Sequence, residues 1–97
     1  MRMMMHQFGM SLGTRDTGRL AKSKIIEILD NTEEKIIFDF SHVSVVSNSF
    51  ADEVFGKLIL EYGFDEFKAR TTFANINRFA AICIKKAIEN RIKAVQV

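Results

Sequence analysis

The stretch that decides the fold is Lys35-Ile-Ile-Phe-Asp-Phe-Ser-His-Val-Ser-Val-Val-Ser-Asn-Ser-Phe-Ala-Asp-Glu-Val-Phe-Gly-Lys-Leu-Ile-Leu-Glu-Tyr62. Ile36 to Phe40 is an apolar, β-branched and aromatic run, too short for a helix, and reads as a strand covered on both faces by helices. From Ser47 onward the period changes. Phe50, Ala51, Val54, Phe55, Leu58, Ile59 and Tyr62 recur at helical spacing, and Gly63 suits the left-handed residue that ends a helix. Ser49 is the expected N-cap, with Asp52 three residues on as a weak capping box and Glu53 favouring the positive helix start. Asp52 and Glu53 point about 100° apart on such a helix, which argues against an acid-base pair and for water-facing first-turn acids.

Outward from this unit the chain keeps alternating. On the N-terminal side, residues 3 to 8 make a candidate strand. Gly9 and Gly13 mark a turn, Thr14 is a good N-cap, and Ala21, Ile25, Ile28 and Leu29 predict a helix ending at Asp30-Asn31. On the C-terminal side, Phe67 to Ala74 has strand character closed by Asn75. Ile76, Phe79, Ala80, Cys83, Ile84, Ala87 and Ile88 then define a third core-facing helical stripe. The tail Ala94 to Val97 reads as an edge strand or a frayed end. The order β-α-β-α-β-α predicts an α/β fold with a small, mostly parallel sheet and right-handed crossovers. The strand-to-helix turns at Gly9 to Thr14, Ser47 to Ser49 and Asn75 to Asn77 then share the carboxyl end of the sheet, where such folds bind ligands.

The residues from Asp39 to Leu58 resemble the signature of a STAS-like domain family of unknown function, whose members carry a similar strand followed by Ser-Ser-Phe-Ala-Asp-Glu. Phe8 to Arg19 resembles the opening of the same family. More distantly, the stretch is similar to the STAS domains of bacterial anti-sigma factor antagonists, where Asp-Ser-Ser-Gly begins a helix and the serine after the aspartate is phosphorylated by a partner kinase. Aligned from Asp39, the motif's aspartate falls on Ser47 and the phosphorylated serine on Asn48, which cannot take a phosphate; the glycine falls on Phe50. The resemblance implies a regulatory module that binds a protein, such as an ATP-binding kinase-like regulator, in a bacterial signalling or transcription-control circuit. Ser47, Asn48, Ser49, Asp52 and Glu53 would form the partner-facing or switch-like turn, without catalysis.

Composition bounds the alternatives. Ninety-seven residues, 47% of them hydrophobic, with no proline and nine phenylalanines, fit one domain spanning 1–97 that buries its core without staples. A net charge of +2 is too small and too mixed to indicate nucleic acid; Arg78, Lys85, Lys86, Arg91 and Lys93 read as a solvated basic helix face. Gly13, Thr14, Arg15 and Arg19 make a candidate anion site, with a glycine turn feeding a helix start and two arginines a turn apart; a phosphate-bearing small molecule or nucleotide is the alternative ligand reading. The turn has neither P-loop nor dinucleotide spacing, and no cofactor is expected. His6 and His42 have no metal-ligand partner at suitable sequence spacing, and Cys83 on an apolar stripe reads as a buried, inert thiol. The polar N-terminus and the lack of a bilayer-length apolar run point to the cytoplasm. Leu60 and Ile82 fall off the core stripes and are candidate dimer or partner contacts.

Overall fold

The computed structural model describes residues 1–95. Strand β3 (Ile36–Asp39) is the middle of a parallel sheet, with β1 (Arg2–Met4) on one side and β5 (Thr71–Ala74) on the other. Met3, Phe38 and Phe73 stand side by side on one face, and Arg2, Ile37 and Thr72 on the other. Phe38 is fully buried while Arg2 and Thr72 are exposed, so the helices cover one face and not both. This corrects the expectation of a strand packed by helices on two sides: the four residues alternate their side chains, and on the outer face Asp39 is buried by its polar partners and not by a helix.

The first strand is shorter than residues 3 to 8, because the chain tightens into a 3-10 turn over Met5–Phe8. A second small sheet follows, which the two-residue runs concerned are too short to signal: β2 (Ser11–Leu12) lies parallel to β4 (Val45–Val46). Helix α1 (Arg15–Asn31) begins where Thr14 Oγ1 accepts the Thr17 N–H at 3.1 Å, and buries Ala21, Ile25 and Leu29.

After β4 the chain is helical for fifteen residues, 48–62, in three pieces: α2 (Asn48–Ala51), a π-helical turn (Asp52–Gly56) and α3 (Lys57–Tyr62). Phe50, Ala51, Val54, Phe55, Leu58 and Ile59 are all buried, as the period requires. Phe55 sits at the centre of an aromatic cluster with Phe38, Phe40, Phe67 and Phe73, at centroid separations from 5.2 to 6.4 Å. Gly63, at φ 80°, ends the helix.

Of the strand expected over Phe67 to Ala74, Phe67 to Arg70 belong instead to helix α4 (Phe64–Arg70). Gly63 breaks the chain direction, Asp65 and Glu66 lie in the first turn, and Lys68 and Arg70 in the last, an ordering that suits the helix dipole. Arg70 then reaches the carbonyls of Leu29, Thr32 and Glu34, so the end of α4 closes the end of α1. Helix α5 (Arg78–Val95) starts with Asn77 Oδ1 accepting the Ala80 N–H at 2.9 Å. That start sets the phase: Ala80, Ile84 and Ala87 face the core, Ile76 precedes the helix, and Phe79 is turned out, 79% exposed. Of the tail expected at Ala94 to Val97, the helix takes the chain to Val95, and the remainder lies outside the described residues. Among the described residues no helix is long and apolar enough to cross a membrane.

Candidate functional site

The three strand-to-helix turns do gather at one end of the molecule, held by backbone and side-chain bonds. Ser44 N–H reaches the Met10 carbonyl, Ser47 N–H reaches the Leu12 carbonyl, and the Asn77 amide reaches the carbonyls of Val43 and Ser44. Within this end, Ser47 and not Ser49 caps the helix. Ser47 is extended (φ −82°, ψ 162°) and its Oγ accepts the Phe50 N–H at 3.0 Å. The cap is the last residue outside the helix, and the β4 pairing brings the chain to the helix start two residues earlier than the apolar period alone indicates. Asn48 and Ser49 are thereby left exposed.

Asp52 and Glu53 are not water-facing acids. Their divergence around the helix sends them to different neighbours. The Glu53 side chain is 1% exposed and receives Lys22 Nζ at 2.8 Å, Lys57 Nζ at 2.9 Å and Arg15 at 3.3 Å. Burial pushes its carboxyl up, but the hydrogen bonds and charges of Lys22, Lys57 and Arg15 outweigh it and bring it down to about 2. Asp52 takes Arg91 Nε and Nη2 at 2.8 Å each and Arg15 at 3.1 Å, and its carboxyl is lowered, Arg91 contributing most. The two acids therefore bolt α1 and α5 to the π turn. Gly18 permits the close approach on one side: a Cβ there would lie 2.9 Å from Glu53 Cβ. Sequence spacing could not reveal this, since the cations come from 31 and 39 residues away.

Asp39 behaves as a satisfied carboxylate. Its Oδ1 accepts the Ser41 hydroxyl at 2.7 Å and the Ser41 N–H at 2.9 Å, and the Asn75 amide and Arg2 complete its partners. The Ser41 bonds are the main reason its carboxyl is held well below the usual range. Asn75 adopts φ 54° in offering its amide.

The Gly13 to Arg19 turn does not present two open guanidiniums. Arg15 is committed to Asp52 and Glu53, Arg19 pairs with Asp16, and Thr14 serves as the cap. Arg15 instead reaches a polar cavity of about 310 Å³ between the Ser47 turn and α5, lined also by Asn48, Ser49, Asp52, Cys83 and Lys86. Cys83 is thus part-exposed on that wall and not a core thiol; the α5 phase that turns Phe79 outward carries it there. The proposed basic face is broken up as well, because Arg91 turns inward to Asp52. His6 and His42, distant in sequence, meet edge to face with ring centroids 5.7 Å apart, His42 at φ 67°. Among the described residues no group of three or more His, Cys, Asp or Glu side chains could hold a metal ion.

Comparison with curated proteins and with solved structures returns no match. A family model described as a STAS-like domain of unknown function matches residues 18–78, which run from the close-approach glycine of α1 through the acid pair to the first residue of α5. With more than half of its length matched and a small parallel α/β sheet of the expected order, the chain belongs to the STAS-like domain family of unknown function.

Proposed function

We propose that the chain is a non-catalytic regulatory module that binds another protein through the Ser47 to Ser49 turn and the adjoining flank of α5, in a bacterial signalling or transcription-control circuit. The observation that supports this reading is Phe79, 79% exposed and one helical turn before Cys83, which lines a cavity with Asn48 and Ser49. A large aromatic left in water beside a polar turn has the character of an interface anchor, and aromatic anchors carry most of the energy of many interfaces. The acids of the motif are engaged in the ion pairs that hold α1 and α5, so they serve as scaffold for the surface and not as acid-base groups. Ser47 is committed to the cap and Asn48, at the position the distant family phosphorylates, has no hydroxyl, which favours binding without phosphorylation; the exposed Ser49 is the turn's one uncommitted hydroxyl and the place where a phosphate would contradict it.

The test is co-purification with the products of neighbouring reading frames, including any ATP-binding kinase-like protein. A partner held by the wild type and released by both Phe79→Asp and Asn48→Glu supports the reading. A partner held equally by the variants, or a stoichiometric gain of one phosphate on Ser47 or Ser49 with ATP, overturns it.

The cavity favours a second reading, a phosphate-bearing small molecule or nucleotide held by Lys86 and by the part of the Arg15 guanidinium that its pairing with Asp52 and Glu53 leaves open, the side chain being 46% exposed. Inorganic phosphate or ATP at millimolar concentration would then raise the melting temperature, and Arg15→Ala with Lys86→Ala would abolish the rise. No shift removes this reading.

A further inference from the structure

The other flank of α5 borders a second groove, of about 420 Å³ and very different character. Phe64 at the start of α4, Phe73 of β5, Ile76, and Ile84, Ile88 and Ile92 of α5 form its walls, with Lys85 and Glu89 on the lip. Among the described residues β5 pairs with β3 alone, so the groove runs beside an edge of the sheet. An open apolar groove of this kind is the surface on which another chain packs.

The charges on the lip bear on what could occupy the groove. Lys85, Glu89 and Ile92 of the groove, together with the exposed Ile82 just outside it, are spaced so that Ile82, Lys85, Glu89 and Ile92 follow one another three, four and three residues apart on one stripe of the helix. Read backwards, the stripe maps isoleucine onto isoleucine and lysine onto glutamate. Two copies of α5 crossing antiparallel about a two-fold axis near position 87 therefore bring Ile82 of one copy to Ile92 of the other, and Lys85 of one to Glu89 of the other, twice over. A parallel pairing would oppose Lys85 to Lys85 and Glu89 to Glu89. A foreign helix would not require the stripe to be self-complementary. Within one chain, Lys85 and Glu89 are only 4.0 Å apart with side chains 79% and 52% exposed, at the outer limit of an ion pair, so both are available to a second copy.

We propose that the chain is an isologous homodimer, with the α5 helices packed antiparallel along this groove and the Lys85 and Glu89 pairs fixing register and direction. The inference does not rest on the reading of the Ser47 turn. Cys83 and Lys86 line the cavity on the other flank of α5, and Phe79 and Lys86 adjoin Ile82 on the helix surface, so the charge reversals at Lys85 and Glu89 test the dimer while Phe79→Asp and Asn48→Glu test the turn.

Light scattering and sedimentation of the full chain at low salt test it. The wild type should have twice the 11.1 kDa mass of one chain at micromolar concentration. Lys85→Glu, which opposes glutamate to glutamate, and Glu89→Lys, which opposes lysine to lysine, should each weaken association by about tenfold or more. An equimolar mixture of the two variants restores both pairs and should recover the dimer. Both positions are on the surface, so circular dichroism should show unchanged folds. A wild-type monomer at about 100 μM, a dimer indifferent to either reversal, or a mixture that fails to reassociate overturns the proposal; the last two point to a different interface, and the first leaves the groove to a different protein.

Discussion

Arg91 holds Asp52 from 39 residues away with two parallel hydrogen bonds of 2.8 Å, one from Nε and one from Nη2. The pair joins the end of α5 to the π turn in the middle of the chain. Both side chains are partly screened from water, at 29% and 23% exposure, so the fork contributes more than a surface pair would. Arg91→Lys keeps the charge but loses the fork, and is expected to cost about 1 to 2 kcal/mol. Urea unfolding measures it. A change below about 0.5 kcal/mol would mean that the fork contributes no more than a surface contact.

Glu53 should make stability depend on acid. Its folded-state pKa, about 2, lies below its ordinary 4.5, so its contribution is complete above about pH 4.5 and is lost as the pH falls toward 2. At neutral pH, Glu53→Gln should cost about 2 to 3 kcal/mol, at or just below the lower end for a broken buried pair because Lys57 and Arg15 can turn to water. The gap between wild type and variant should close as the pH passes down through that window, since a protonated glutamate resembles glutamine. A gap that stays constant from pH 6 to pH 2.5 would show that the carboxylate charge is not what matters.

Gly18→Ala sets propensity against packing. Alanine in a helix interior favours folding by about 1 kcal/mol over glycine. Here the new methyl would lie 2.9 Å from Glu53 Cβ and 3.0 Å from Cγ, on a side chain already fixed by three cations. Overpacking of this kind costs about 1 to 3 kcal/mol, so a net loss of about 1 kcal/mol is expected. A stabilised variant would show that α1 slides freely over the π turn.

Phe55→Ala should cost about 4 to 5 kcal/mol, the upper part of the range for a buried aromatic. The ring is fully buried and touches four other aromatic rings, which cannot all close on the space it leaves. Guanidinium melts give the number, and a loss under about 1 kcal/mol would place the residue at the surface.

Local chemistry alone determined a good part of this molecule. The switch from a strand run at Ile36 to a helical period after Ser47, the cap at Thr14, the stop at Gly63 and the parallel order of the main strands all follow from spacing and turn residues, which act within a few positions. Such signals fail where two local tendencies are nearly balanced. The aromatic and β-branched residues of 67–74 suggested a strand, and Gly63 with the acid-first, base-last order of Phe64–Arg70 made the first part a helix instead. Only the tertiary structure decided what the family-like acids do. Asp52 and Glu53 read as first-turn acids in water because their partners Arg15, Lys22 and Arg91 lie on other helices, and no periodicity encodes a contact across 31 to 39 residues. The same holds for Phe79: its spacing fits the core stripe, and the helix start set by Asn77 rotates it to the surface.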